Sequence, residues 1–226
     1  MPTLYEILKK WVKKSEPKKD APCPCELQIY NPLQARIGCA VTVDDVDLKR
    51  IGFFVQGVRE LTVLLGGKSY PIAEYLLVAT PLEGEAMEVR LRVTPAGKDD
   101  SGGLGYRILI LHQWDSLAYC DGLLEAVKDP TKIFKIDNDS LNFHAEFFRV
   151  NDVGDSFKAT CKSITAKEYC VQTSEIEFWD FSRMTHIDSV EMEQFLLVEM
   201  NTDNGWFQLL GPPRGYEISP DRVSLA

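Results

Sequence analysis

No run of 18 apolar residues occurs in the chain. A helix needs about 20 to cross the hydrocarbon core of a bilayer, so no transmembrane span is expected. An apolar stretch behind a short basic start is also missing, because Leu8 runs straight into Lys9 and Lys10. That excludes a secretory signal and leaves the cytoplasm as the expected location, peripheral at a membrane if the N-terminus attaches to one. Positive charge is scarce: 25 Lys and Arg stand against 34 Asp and Glu in 226 residues, a formal charge of -9 at pH 7. An acidic body repels phosphate, so nucleic acid is not an expected partner.

Complete catalytic and metal-binding motifs are missing as well. Cys23-Pro24-Cys25 separates its thiols by one residue, whereas a zinc site wants a wider spacing and a second pair of ligands downstream, which does not follow. Cys39, Cys161 and Cys170 fall on expected strands, where Cys acts as a small hydrophobe, and disulfides are not expected in the cytoplasm. His144-Ala145-Glu146 has the H-x-E of zinc deaminases without the P-C-x-x-C that completes it. Gly67-Lys68-Ser69 ends like a P-loop, but Thr62 stands where the first glycine belongs. Asp137-Asn138-Asp139 opens like a calcium loop, yet Phe148 occupies the position that needs Glu. No G-x-S-x-G singles out a nucleophilic serine. The expectation is a protein with no enzymatic activity, no cofactor, no metal and no catalytic residues.

The first notable feature present is a leader of opposite sign to the body. Residues 1–20 hold six lysines against Glu6, Glu16 and Asp20, or +3, which leaves -12 on the remainder. Leu4, Ile7, Leu8, Trp11 and Val12 recur at helical spacing, with Lys9, Lys10, Lys13 and Lys14 beside this stripe. Thr3 and Glu6 form a capping box, and Ser15-Glu16-Pro17 ends the helix before a proline-rich linker. So short a helix is marginal alone. It therefore docks on its own body, on a partner protein or on an anionic membrane surface.

From Cys39 onward, short apolar or alternating runs rich in β-branched and aromatic residues lie between Gly, Asp and Asn turns, which predicts antiparallel sheet. Strands are expected near Cys39–Val43, Gly52–Val58, Leu61–Leu65, Glu74–Thr80, Met87–Val93 and Tyr106–Gln113. In Met87–Val93 the even-numbered side chains should be solvated. Gly66-Gly67 reads as a two-residue hairpin turn. Helical spacing over Asp115–Val127 predicts a helix, weakened by Gly122. Further strands are expected near Ile133–Ile136, Phe143–Val150, Phe157–Ile164, Tyr169–Thr173, Ile176–Phe181, Gln194–Met200 and Trp206–Leu210. Phe53-Phe54 resembles Phe147-Phe148, and Glu74–Val78 resembles Gln194–Val198, so two related modules, 31–130 and 131–226, are one reading after a leader and linker at 1–24.

The run Gly52–Glu60 with Glu74-Tyr75-Leu76-Leu77, and later Trp179–Arg183 and Gly205-Trp206, resembles the strand pattern of a bacterial domain family named only as a domain of unknown function. The resemblance spans residues 33–226. It implies a β-rich fold and an accessory role near a membrane, and no catalytic residues come with it. In Phe178–Arg183, alternation sets Phe178, Asp180 and Ser182 on one face and Trp179, Phe181 and Arg183 on the other. Trp179 and Phe181 read as core. Arg183 reads as pairing with Asp180 or with a partner, and both Trp179 and Arg183 are of hot-spot type.

The sequence therefore predicts a mostly β protein of antiparallel sheets or small barrels with an N-terminal amphipathic helix. The expected function is that of an accessory or scaffold protein mediating protein or membrane-surface contacts. Its interaction residues would be Leu4, Leu8, Trp11, Lys9, Lys10, Lys13, Lys14, Trp179 and Arg183. The alternative is a small-ligand-binding domain with its site between the two β modules.

Overall fold

The structure is a computed structural model that describes residues 29–44, 51–79, 86–98, 104–117, 121–129, 133–138, 143–150, 156–168, 170–187 and 189–225. The expected leader helix, with Leu4, Leu8, Trp11, Lys9, Lys10, Lys13 and Lys14, lies outside these residues, as does Cys23-Pro24-Cys25. The described chain is mostly β. Its strands are β1 (Ala40–Val43), β2 (Ile51–Leu65), β3 (Lys68–Ala79), β4 (Met87–Lys98) and β5 (Leu104–Leu117). After helix α1 (Asp121–Lys128) come β6 (Phe134–Asn138), β7 (Phe143–Arg149), β8 (Phe157–Thr165), β9 (Gln172–Ile187), β10 (Val190–Asn201), β11 (Phe207–Ile218) and β12 (Val223–Leu225).

Every pairing is antiparallel, and one series of neighbours closes on itself: β2-β3-β4-β5-β11-β10-β9-β8 and back to β2. The core of the fold is thus an eight-stranded barrel. Two ribbons extend from it, β12-β1 on the first part of β2 and β6-β7 on the last part of β9. Strands from both halves of the chain share this one sheet, through β5 with β11 and β2 with β8. The similar segments sit on β2 and β3, which pair directly, and on β7 and β10, which have β9 between them.

Several expected elements are longer or displaced, and tertiary pairing explains each case. The strands expected at Gly52–Val58 and Leu61–Leu65 are one strand, β2, whose first part pairs with β1 and whose second part pairs with β8. Those expected at Tyr169–Thr173 and Ile176–Phe181 merge into the 16 residues of β9, which pairs with β8 and then β7. The helix expected from Asp115 starts at Asp121, because Asp115 and Ser116 pair with Leu209 and Gln208 of β11. Ladder hydrogen bonds outweigh the weak helical preference there. Gly66 and Gly67, at φ of 56° and 76°, carry the hairpin turn as expected.

A bulge in β2 decides which residues face inward. Val55 lies opposite Leu77, but Gly57 lies opposite Leu76, so Gln56 is the extra residue and the odd-numbered side chains change face. Before the bulge, Phe53 and Val55 join an outer core with Val41, Tyr75, Leu77, Leu91 and Ile110. Residues 29–37 cover that core. They are pinned by the Tyr75 hydroxyl, which donates to Asn31 Oδ1 at 2.7 Å and accepts from the Leu33 N–H at 3.1 Å. A second outer core, with Trp179, Phe181, Leu196, Val198 and Phe207, is covered by α1 and the β6-β7 ribbon. Arg149 Nη1 caps the helix end by donating to Val127 O at 2.6 Å.

Where β11 crosses β10 the backbones nearly touch. Gly211 has φ of 129°, and a Cβ there would lie 2.1 Å from Phe195 O. Gly211→Ala is expected to cost about 3 kcal/mol or more, combining backbone strain with displacement of β10. Urea unfolding measures this, and a wild-type midpoint would contradict the crossing.

Candidate functional site

Strand alternation sends one set of residues from each ring strand into the barrel. The middle of the interior is apolar, with Leu61, Leu111, Ala159, Ile176, Leu197 and Leu210. Charged side chains share the same face. On β4 the even-numbered side chains were expected in water; Glu88 is exposed, but Arg90 and Arg92 are only 2% and 4% exposed. Barrel closure, which the alternation of a single strand does not reveal, turns this face inward.

The buried charges form one network. Glu74 Oε1 takes Arg92 through Nε at 2.8 Å and Nη2 at 2.7 Å, while Oε2 faces Arg59 Nη1 at 3.2 Å and Arg90 Nη1 at 3.4 Å. Glu199 takes Arg59 Nη2 on Oε1 at 2.7 Å and Arg90 Nη1 on Oε2 at 3.0 Å. Arg90 Nη2 also donates to Gln208 Oε1 at 2.9 Å, and Arg59 Nε donates to Cys161 Sγ at 3.4 Å. Burial alone pushes the Glu74 carboxyl up, but Arg92, Arg90 and Arg59 outweigh it and pull its pKa down to about 2. Glu199 is also lowered, with burial opposed by Arg59 and Arg90. Burial pushes the Cys161 thiol up against the pull of Arg59, which keeps it protonated. Isolated charges here would each cost several kcal/mol, so every guanidinium needs its carboxylate.

This plug divides the interior into two mouths. One is polar, a cavity of about 440 Å³ with Ser163, Thr165, Ser174, Asn201 and Gln208 on its walls and Arg59, Arg90 and Glu199 at its base. Trp206 stands at its edge, 47% exposed. The turn before it is self-bonded: Asn201 Oδ1 accepts from the N–H groups of Asp203 and Asn204, and Asn204 Oδ1 accepts from the Trp206 N–H. The other mouth is a cavity of about 280 Å³, mainly apolar, at the end of the β2-β3 hairpin.

The residues singled out by sequence fall elsewhere. Trp179 is 1% exposed in the outer core, and its Nε1 has no hydrogen-bond partner among the described residues. Arg183 does not pair with Asp180: its Nε donates to Gln194 Oε1 at 2.7 Å, and its guanidinium lies 5.2 Å from the ring centres of Phe143 and Phe147. Asp180 points the other way, into the barrel, with Arg92 Nη1 at 3.8 Å. His144 faces Asp137 at 3.2 Å and Glu146 pairs with Lys135 at 2.6 Å, both on the exposed side of the β6-β7 ribbon. His112 and His186 are on β5 and β9. Cys161 is buried on β8 as expected, whereas Cys170 is exposed in the loop after it. Among the described residues no cluster of three or more His, Cys, Asp or Glu is placed to hold a metal. Sequence reasoning missed Arg59, Glu74, Arg90, Arg92 and Glu199 and gave Asp180 the wrong partner; their signal is opposite charge on strands that become neighbours only once the register is known.

Comparison of the chain with protein-family models, curated proteins and solved structures finds no match, so the chemistry of the site rests on its own residues.

A lowered carboxyl pKa contributes stability above the unfolded-state value and loses it as pH falls through the folded value. For Glu74 that window runs from 4.5 down to about 2 and is worth about 3 kcal/mol. The urea midpoint is therefore expected to fall steeply across this window. In Glu74→Gln the barrel should be destabilised by about 3 to 5 kcal/mol at pH 7, through guanidiniums left unpaired, and the acid loss should shrink.

Proposed function

We propose that this protein is a non-enzymatic binding protein that holds a small polar ligand in the polar mouth of its barrel. Eight-stranded barrels are just wide enough to fill with side chains or to enclose one small ligand, and barrel mouths are common ligand sites. The observation that carries the reading is the 440 Å³ cavity, to which every ring strand except β5 contributes. Its walls offer hydroxyls and amides, and at its base Arg59 and Arg90 are already engaged with Glu74 and Glu199. A strongly charged ligand would have to break that network. A small hydrogen-bonding molecule with a planar part fits better, lying against Trp206 with its polar edge toward Ser163 and Ser174. Since β2, β3 and β4 form one side of the ring and β8, β9 and β10 another, this is also a site between the two halves of the chain. The docking role of the leader rests on its sequence pattern.

The test is a thermal-shift panel of free amino acids, nucleosides and monosaccharides on the full chain, repeated on Ser174→Trp, which fills the mouth. A ligand at about 100 times its Kd stabilises by about 2.7 kcal/mol. The expected result is a shift from one chemical class in the wild type, absent in Ser174→Trp. No shift from any class, or equal shifts in both proteins, would contradict the proposal.

A further inference from the structure

The opposite mouth differs in chemistry. Its cavity of about 280 Å³ is walled by Leu65, Tyr70, Pro71, Phe157 and Phe178. Leu65 and Tyr70, at the tip of the β2-β3 hairpin, are exposed by 47% and 46%, so the apolar lining continues outward onto the rim. Exposed apolar residues at one place mark a binding surface more often than scattered ones do.

Two guanidiniums enter this mainly apolar wall, together with Asp180 and Thr94. Arg92 and Arg107 sit diagonally across the β4-β5 pair, since Arg92 lies opposite Leu109 and Thr94 opposite Arg107. Diagonal neighbours are about 7 to 8 Å apart, within reach of one carboxylate held between two long side chains. Arg92 Nε donates to Glu74 Oε1 at 2.8 Å and Nη2 lies 2.7 Å from the same oxygen without hydrogen-bond geometry, while Nη1 meets Asp180 only at 3.8 Å, too far for a hydrogen bond. Arg107 spends Nε on Glu217 at 2.7 Å and stacks over Phe195 at 4.8 Å. Asp180 is the carboxylate among the wall residues, while Glu74 and Glu217, the partners of Arg92 and Arg107, stand outside the cavity lining. Apolar walls with convergent guanidiniums suit an amphipathic anion, and the small volume limits it to a short chain or a single ring.

We propose that this mouth is a second binding site, for a small amphipathic carboxylate whose hydrocarbon part fills the space beside Phe157 and Phe178 and whose carboxylate meets Arg92 and Arg107.

The test is calorimetric titration of the full chain with octanoate, octanol and octylamine below their aggregation limits. Octanoate should bind, octanol at least tenfold more weakly, and octylamine not measurably. Arg107→Gln should weaken octanoate binding at least tenfold, and Leu65→Asp should abolish it. Both positions are partly exposed, so both variants should keep the wild-type unfolding temperature. Ser174→Trp, in the polar mouth, should leave octanoate affinity unchanged, which separates this proposal from the polar-ligand reading. Equal affinity for octanol and octanoate, an unaffected Arg107→Gln, or loss of octanoate binding in Ser174→Trp would each overturn it.

Discussion

Glu74, with no exposed side-chain surface, holds three guanidiniums at once, and the rest of the barrel is arranged around that fact. A carboxylate so buried is tolerable only if its partners are delivered at the right height from several strands. Arg59 comes from β2, Arg90 and Arg92 from β4, and the second carboxylate, Glu199, from β10 across the ring. The antiparallel register puts Arg59 opposite Glu74 and Glu74 opposite Arg92. A slip of one residue would send these charges into the outer apolar core and bring Tyr75 and Leu91 inside.

The bulge at Gln56 is what makes the two ends of β2 compatible. Without the extra residue, Phe53 and Arg59 would face the same way, and either the outer core or the ion network would be lost. Gly57 follows because the bend brings Ile164 O and Leu76 Cδ1 to 3.0 Å from where its Cβ would be. The same network separates the two mouths. It gives one a polar base and the other Arg92, beside Arg107 in a mainly apolar wall, so the packing device and part of the candidate binding chemistry belong to one arrangement.

The fold class was legible because strand signals are local. Val, Ile, Phe and Tyr between turns showed antiparallel sheet, and Gly66-Gly67 showed its hairpin. Closure of the ring was not legible, since it depends on β2 meeting β8 and β5 meeting β11 at long separation. That one omission accounts for the misplaced charges. Arg90 and Arg92 alternate with Val89, Leu91 and Val93 as they would on a half-solvated sheet, and only a closed barrel makes the polar face interior. The same holds for Asp180. Its alternation with Trp179 and Phe181 was right, but its partner is Arg92 on a distant strand, whereas adjacency in sequence pointed to Arg183. The helical spacing from Asp115 failed for a related reason, because β11 provides ladder partners that a local pattern does not contain.

The whole arrangement depends on Glu74 being buried and ionised inside a closed barrel, paired with Arg59, Arg90 and Arg92. The most direct check is to follow the side-chain carboxyl carbon of Glu74 by NMR through an acid titration of the folded protein. The carboxyl should stay ionised through pH 4 and protonate only near 2, as the barrel unfolds. A midpoint near the ordinary value of 4.5, with the fold intact on both sides of it, would show that Glu74 is neither enclosed nor paired, and would contradict the arrangement described.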